Sequence, residues 1–407
     1  MALVVQKYGG TSVGDVEKIR HVASRVKKAR DMGHKVVVVV SAMAGETNRL
    51  VDLCRQMMNY PDPREYDVVV STGEQVVVGL LSMALKKSGQ DAVSLLGHQV
   101  AIYTDDAHTR ARINHISDGK IRENLEAGRV VIVPGFQGID EKGDITTLGR
   151  GGSDTSAVAL AAALKADSCE IYTDVEGIFT TDPNVVPEAV KIPRISYDEM
   201  LEMASLGAKV LQIRSVEFAK KYDVPLHVRS TFTETEGTWV TREDREMEKV
   251  VVSGVTFEKN EAKVSIMRVP DQPGIAARIF GAIAQAGINV DMIIQNISHD
   301  GYTDMTFTVP KGDLEAALSI VEPIAAEIGA NGILTDDKVA KVSIVGTGMR
   351  SHSGIASRMF KALADDGINI QMISTSEIKV SCVIENKYTE LAVRVLHNAF
   401  DLGGDSV

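Results

Sequence analysis

Five short stretches hold the residue types from which group-transfer chemistry is built. The first is KYGGTSVG, residues 7–14, which follows the apolar run 2–5. A lysine leaves a strand, two glycines come next, and two hydroxyls follow. Gly9 and Gly10 let the backbone approach a ligand, and consecutive N–H groups form an anion-binding concavity. A helix starting near Asp15 adds its positive end, and Lys7 supplies a point charge for outer phosphates. Because the lysine precedes the glycines, this is not the G-x-x-x-x-G-K-[ST] loop. The second stretch, VSAMAGETNRL at 40–50, puts Ser41 at the carboxyl end of a parallel strand, where open α/β sheets collect ligands. Ser41 and Thr47 are candidate donors to a phosphate or carboxylate, and Thr47 equally suits a helix N-cap. The third, STGEQ at 71–75, brings Glu74 to the same sheet edge. A carboxylate among phosphate-binding groups needs a cation, and a substrate ammonium serves. Ser71 and Glu74 also have the spacing of a capping box.

The fourth stretch, TTLGRGGSDTSA at 146–157, sets Arg150, Ser153 and Asp154 among three glycines before an alanine-rich helix over 155–165. Amides at a helix start plus the planar fork of Arg150 make a clamp for a carboxylate. The fifth, IYTDVEGIFTTDP at 171–183, runs from a strand through Thr173 and Asp174 to Phe179 and Asp182. It can hold a purine and ribose by hydrogen bonds and an apolar face. Lys209, in GAKVLQ, is a second candidate phosphate cation.

These residues need a frame. Valine runs at 36–40, 68–70 and 130–133 read as parallel strands buried on both faces. Amphipathic helices lie between them; in one, Ile19, Val22, Val26 and Ala29 share a face and Gly33 ends it. The alternation predicts an α/β domain over 1–232 with a mostly parallel central sheet covered by helices. Residues 233–248 are polar and charged without an apolar period, and read as a linker.

Beyond them the chain repeats itself. PGIAARIFGAIAQAGINVDMI at 273–293 matches SGIASRMFKALADDGINIQMI at 353–373, each preceded by AKVSI. Each copy reads as a β-α-β-β-α-β unit. The first, about 262–337, closes with the strand GILTD. The second, about 340–407, has a helix carrying Leu391, Val395, Leu396 and Ala399, then only DLGGDSV, too poor in apolar residues to close a sheet. An open edge would remain, so the strand-like 249–257 is expected to complete the second unit, interlocking the two over 249–407. The Gly-Ile turns at Gly274, Ile275, Ala276 and at Gly354, Ile355 suit an effector carboxylate. Asn289, Asp291 and Gln295 are placed to meet its ammonium and side chain, with Asn369 the counterpart of Asn289.

Two patterns mislead. VSIVGTGMRS at 342–351 resembles a dinucleotide loop but lacks the third glycine. His108 and His115 stand seven apart, which fits no helical zinc pair, and read as solvated loop residues. No metal site is expected. The 407 residues carry a net charge of −11, which disfavours nucleic acid as a partner. No apolar run approaches the roughly 20 residues that span a bilayer, and no basic-then-apolar leader is present. Cys54, Cys169 and Cys382 are odd in number and far apart, the usage of a cytoplasmic protein.

In this order the stretches closely resemble the aspartokinases of the amino acid kinase family, and the resemblance covers nearly the whole chain. KYGGTS, LGRGGSDTSA and YTDVEGIFTTDP carry it, and the tandem repeat resembles paired, ferredoxin-like ACT domains. The resemblance implies an amino acid kinase fold and phosphorylation of the β-carboxylate of L-aspartate by ATP with Mg²⁺, opening the route to lysine, threonine and methionine. It implies that Lys7, Gly9, Gly10 and Ser41 handle the ATP phosphates. Thr173, Asp174, Phe179, Asp182 and Lys209 would line the nucleotide site, with phenylalanine at 179 where other members carry tyrosine. Thr47, Glu74, Arg150 and Ser153 would bind aspartate, with Asp154 ordering the basic groups. Lysine, threonine or both would act through the ACT units, in a homo-oligomer or with a shorter regulatory subunit started near Met247. Rival readings are a glutamate 5-kinase or uridylate kinase, a bifunctional kinase–dehydrogenase for which the chain leaves no room, and a non-enzymatic amino acid sensor. Glu74 and Arg150 disfavour a nucleotide acceptor, and the intact phosphate loops disfavour a pure sensor.

Overall fold

The structure, a computed structural model, describes residues 1–207, 210–243, 250–296 and 300–403. It divides into two compact units, one formed by Met1–Ile178, Lys191–Ser205 and Lys209–Met247, the other by Phe179–Val190, Leu206–Ala208 and Glu248–Val407.

The first unit is built on an eight-stranded sheet. Leu3–Tyr8 lies at its centre, between Lys35–Val40 and Ser168–Thr173, in parallel to both. The valines of 36–40 are fully buried, as expected of a central parallel strand covered on both faces. Among the described residues of this sheet, the Leu226–Ser230 and Thr238–Thr241 pair alone is antiparallel. Helix Val16–Asp31 covers one face with Ile19, Val22, Val26 and Ala29; Asp15 caps it and Gly33 leaves it at φ +87. A four-stranded sheet of Ile102–Thr104, Ile113–Ile116, Gln137–Ile139 and Ile145–Thr147 stands beside the main one.

Three expectations are corrected here. Residues 68–70 end a helix, Pro63–Val70, rather than forming a strand. Asp62 caps that helix and Pro63 opens it, signals that outweigh three β-branched residues. With Thr72–Lys87 it gives a helical run of 25 residues that is long and apolar enough to cross a membrane, contrary to the sequence reading. Half of its apolar window is buried inside the unit, and Asp67 and Glu74 are buried on it, so it serves as a core element. Residues 238–241, read as linker, form a strand whose Val240 is fully buried.

The second unit is a six-stranded antiparallel sheet with helices Ile275–Gln285, Leu314–Glu327, Ile355–Asp365 and Thr389–Ala399. Two long strands, Gly254–Pro270 and Ile333–Val345, run through both repeats. Gly254–Glu258 pairs with 345–341 of the second repeat, and Lys263–Ile266 pairs with 336–333 of the first. The first repeat thus closes with its own strand at 333–336, while the second is completed by the strand 254–258 that precedes the first. The glycines of the misleading VSIVGTGMRS motif serve this crossing. A Cβ on Gly346 would lie 2.3 Å from the Val251 oxygen, and one on Gly348 2.5 Å from that of Val250. In the last helix the buried face is Ala392, Val393 and Leu396, whereas Leu391 is exposed.

Residues 179–190 group with the second unit rather than with the domain that the 1–232 boundary drew. Val185 and Val186 join the core of the second repeat. Val255 N–H donates to the Thr180 oxygen, and Thr180 Oγ1 lies 2.9 Å from His397 Nε2.

Candidate active site

Parallel strands end together. Gly9 N–H donates to Tyr172 O, Ser41 N–H to Tyr8 O, and Gly135 N–H to Val40 O. These bonds extend the ladder past the strand ends, so the loops after Tyr8, Val40, Pro134 and Thr173 leave one edge of the sheet. A cavity of about 320 Å³ opens there. Eight of the residues singled out in the sequence line it: Lys7, Gly10, Ser41, Thr47, Glu74, Arg150, Ser153 and Asp154. They come from five loops or helix starts spread over some 150 residues of sequence.

Lys7 is the penultimate residue of its strand, and its Nζ lies 2.5 Å from Asp154 Oδ1. Asp154 is in the first turn of helix Gly152–Leu164 and is 8% exposed. The pair sits at the wall of the cavity, with the ammonium held beside a helix N-terminus that also favours anions. Gly10 permits the phosphate-loop turn to touch its neighbour: a Cβ there would stand 3.0 Å from the Ala42 oxygen. The hydroxyl of Ser12 turns away from the cavity. It is fully buried and bonds Thr231 Oγ1 at 2.6 Å, so of the two hydroxyls in KYGGTS this one pins the loop.

Glu74 lies in the first turn of helix Thr72–Lys87 and is 3% exposed. No side chain caps that helix, which removes the capping-box alternative. Oε1 accepts from Ala42 N–H at 3.1 Å, and Oε2 has no partner among the described residues. Gly73 brings the two elements this close, since a Cβ there would be 2.8 Å from that of Ala42. Burial pushes the carboxyl up to about 7, partly opposed by the backbone hydrogen bonds. A half-satisfied buried carboxylate at a cavity wall is a receptor for a cation. Thr47 does not cap its helix; Gly45, at φ +82, occupies that position.

Arg150 is exposed, carried by a loop whose Gly149 and Gly151 have φ of +74 and +71. Gly151 is also sterically required, because a Cβ would overlap Gln212. Phe136, at φ +70, lines the cavity and was not anticipated from sequence; an aromatic residue carries no mark of a left-handed backbone.

Of the remaining candidates, Gly9 and Thr173 lie at the same strand ends, and Thr173 Oγ1 bonds Asp174 at 3.0 Å. Phe179 and Asp182 belong to the 179–190 segment, where Asp182 Oδ1 accepts from Asn184 N–H and Nδ2. Lys209 and Met247 fall outside the described residues. His108 is not a solvated loop residue, since its Nδ1 lies 2.9 Å from the buried Asp67. His115 stacks on Tyr103.

In the second unit, Gly274, Ile275, Ala276 and Gln295 line a cavity of about 340 Å³. Asn289 is exposed and does not line it. Asp291 is engaged elsewhere: its carboxylate pairs with the buried Lys341 of the other repeat, while Lys263 bonds Gln371. The two contacts are related by the internal repeat, each joining a first-strand lysine to the opposite copy. Gly354, Ile355 and Asn369 occupy the matching positions of the second copy, with Gly354 at φ +86 before its helix.

Residues 2–230 match the amino acid kinase family, and 264–326 and 342–400 match ACT domains. The aspartokinase of Pseudomonas aeruginosa is 63% identical over 404 residues, covering 99% of this chain and 98% of its own. That of Helicobacter pylori is 54% identical over 404 residues, covering 98% and 99%. The structure of E. coli aspartokinase III in complex with aspartate and ADP superposes with a TM-score of 0.81 at 26% identity, covering 98% of this chain and 99% of that one. The same enzyme in complex with lysine and aspartate gives 0.78 at 27%, covering 98% and 99%. With a catalytic-type sheet edge, two interlocked repeats and this likeness over its full length, the chain belongs to the amino acid kinase family, among the aspartokinases with paired ACT domains.

Proposed function

We propose that the protein transfers the γ-phosphoryl group of ATP to the β-carboxylate of L-aspartate, giving 4-phospho-L-aspartate and ADP, the first step towards lysine, threonine and methionine. The observation that carries this reading is the open Oε2 of buried Glu74 in one cavity with Arg150 and the Lys7–Asp154 pair. An amino acid acceptor needs an anion for its ammonium and a cation for its carboxylate, and this cavity offers both beside a phosphate loop.

The chemistry follows from the charges. A carboxylate with an ordinary pKa near 4 is already ionised, so no general base is required. A carboxylate oxygen attacks the γ-phosphorus as the bond to the β,γ-bridging oxygen breaks, and the electron pair leaves on ADP. The barrier is repulsion between two anions in line, which makes catalysis a matter of positioning and neutralisation. Lys7, Gly9, Gly10 and Ser41 hold the phosphates, and Mg²⁺ enters with the nucleotide as part of the MgATP substrate. Asp154 holds the Lys7 ammonium at the transferring group. Arg150, with Ser153 and Thr47, binds the aspartate, and Glu74 takes its ammonium. Thr173 and Asp174 face the nucleoside.

Lysine, threonine or both regulate the enzyme from the cavity around Gly274 and Gln295, and the protein works in the cytoplasm as an oligomer, with itself or with a shorter regulatory chain begun near Met247. Aspartyl hydroxamate formation from ATP, aspartate and hydroxylamine, with and without lysine and threonine, tests this. Hydroxamate that depends on aspartate and falls with an effector is expected. Faster turnover of glutamate or a nucleoside monophosphate would sink the assignment.

A further inference from the structure

Asp67 stands on the Pro63–Val70 helix, fully buried, at a position to which the sequence reading gave no role. Its carboxylate accepts from Thr147 N–H at 3.0 Å and Thr147 Oγ1 at 2.5 Å. Thr109 N–H reaches both oxygens, at 3.2 and 2.9 Å, and His108 Nδ1 lies 2.9 Å from Oδ2. A buried carboxylate persists where donors replace the water it lost. Here every donor comes from two segments, 108–109 and Thr147.

Those segments carry the Arg150 loop. Thr147 ends its strand, and Leu148, Gly149 and Arg150 follow. Thr109, held at φ +68, abuts that loop: a Cβ on Gly149 would lie 3.0 Å from its oxygen. Arg214 closes the other side with bonds to Leu148 O at 2.6 Å and Ala111 O at 3.2 Å. Leu148 N–H donates to Phe136 O, and Ala111 N–H to Thr147 O, both at 2.9 Å. Residues 147–149 are therefore fixed from several directions. The exposed Arg150 side chain makes no ion pair among the described residues, so its reach is set by this backbone. Glu74 follows seven residues after Asp67 on the same helical run. Lys7 and Gly10, by contrast, hang from the central strand.

We propose that Asp67 is a positioning residue for aspartate: through Thr147 and Thr109 it holds Arg150 at a set distance from Glu74, so that one helical run gauges both charged ends of the amino acid while the phosphate loop is anchored separately. The proposal rests on the reading that Arg150 and Glu74 bind aspartate. Its signature is a split between substrates, which a merely structural role would not produce.

The test is steady-state kinetics of full-length variants whose folding is checked by thermal melting. Thr147→Val removes the hydroxyl donor and keeps the N–H, while Thr147→Ser keeps both. Asp67→Asn turns an acceptor oxygen into a donor facing donors and is the harsher change. Thr147→Val and Asp67→Asn are expected to raise the aspartate KM on the order of 10-fold, with the ATP KM changed less than about twofold and Thr147→Ser close to the unaltered enzyme. On an Arg150→Ala background, Thr147→Val is expected to add nothing, because it acts through Arg150. A folded Thr147→Val enzyme with unchanged aspartate KM, equal rises in both KM values, or additivity with Arg150→Ala overturns the proposal. If Arg150→Ala raises the aspartate KM and Thr147→Val does not, the positioning role alone falls. If Arg150→Ala itself leaves the aspartate KM unchanged, the reading of the site falls and takes the proposal with it.

Discussion

Glu74 gives the sharpest prediction, because the same burial governs stability, pH dependence and binding. Desolvation lifts its carboxyl from the ordinary 4.5 to about 7. That displacement corresponds to about 3 kcal/mol. Between pH 4.5 and 7 the unfolded chain has released this proton while the native chain still holds it. The native state therefore binds more protons, and stability falls as pH rises. The contribution is complete below the unfolded value and lost as pH passes through the folded one. Glu74→Gln keeps an acceptor for Ala42 N–H and cannot ionise. Its Tm should lack this part of the decline between pH 5 and 8, a difference of roughly 5–10 °C for a unit of this size. The amide it leaves at the Oε2 position lowers the whole curve without giving it a slope. Binding shows the other side of the balance: the substrate ammonium restores the missing partner, a charge-assisted bond of about 1.5–3 kcal/mol. Aspartate KM in Glu74→Gln should then rise roughly 10- to 100-fold with a small change for ATP. In the unaltered enzyme it should rise as pH falls below about 7, as Glu74 takes up its proton. Melting curves against pH with and without aspartate, beside initial rates, make the measurement. Parallel melting profiles for the two proteins, or a variant that loses ATP rather than aspartate, would refute the reasoning.

Lys7→Ala should leave the fold intact and lower kcat by about 3 kcal/mol of transition-state stabilisation, on the scale of losing an oxyanion donor; a turnover near that of the unaltered enzyme in a coupled ATPase assay would count against its role. Arg150→Lys should raise aspartate KM, because a point charge cannot replace a bidentate fork, and an effect confined to the ATP KM would mean the two sites are reversed. Gln295→Ala should relieve inhibition by lysine or threonine with little change in the uninhibited rate, whereas Asp291→Ala should remove one of the two carboxylates that meet the buried Lys341, leaving Glu261, and lower the Tm of the regulatory unit; intact inhibition in Gln295→Ala would refute the first half. Regulatory chains begun at 247 should be folded and associating, while chains begun at 260 lose the Gly254–Glu258 strand and the burial of Val252 and Val255, about 1.5–3 kcal/mol for each valine. Equal melting of the two would show the lent strand to be dispensable.

Much of this molecule is written locally. Five valines in a row suit a strand covered on both faces, and the strand at 36–40 lies inside the parallel sheet. The repeat at 273–293 and 353–373 announces two like units, and the missing final strand of the second announces that it must be lent one. The glycines of the phosphate and arginine loops mark close approach before any ligand is considered. Where several local signals compete, the strongest single one misleads: three valines at 68–70 suggest a strand, but the Asp62-Pro63 start dictates a helix.

Tertiary structure decided what local pattern has no means to encode. Glu74 is a plain S-x-x-E glutamate until Gly73 brings it under the Ala42 amide and leaves its second oxygen bare. Asp291 looks like an effector ligand until the shared sheet sets Lys341 beside it. Asp67 carries no signal at all, because its partners lie 41 to 80 residues further along the chain. The 179–190 segment reads as continuous with the kinase-like domain, yet Val185 and Val186 find their apolar partners in the second repeat. The sequence states which groups are present and which backbone turns are allowed. Which donor meets which acceptor, and which polar atom is left without one, depends on contacts across long stretches of chain, and these alone separate a pinned hydroxyl or carboxylate from one that awaits a substrate.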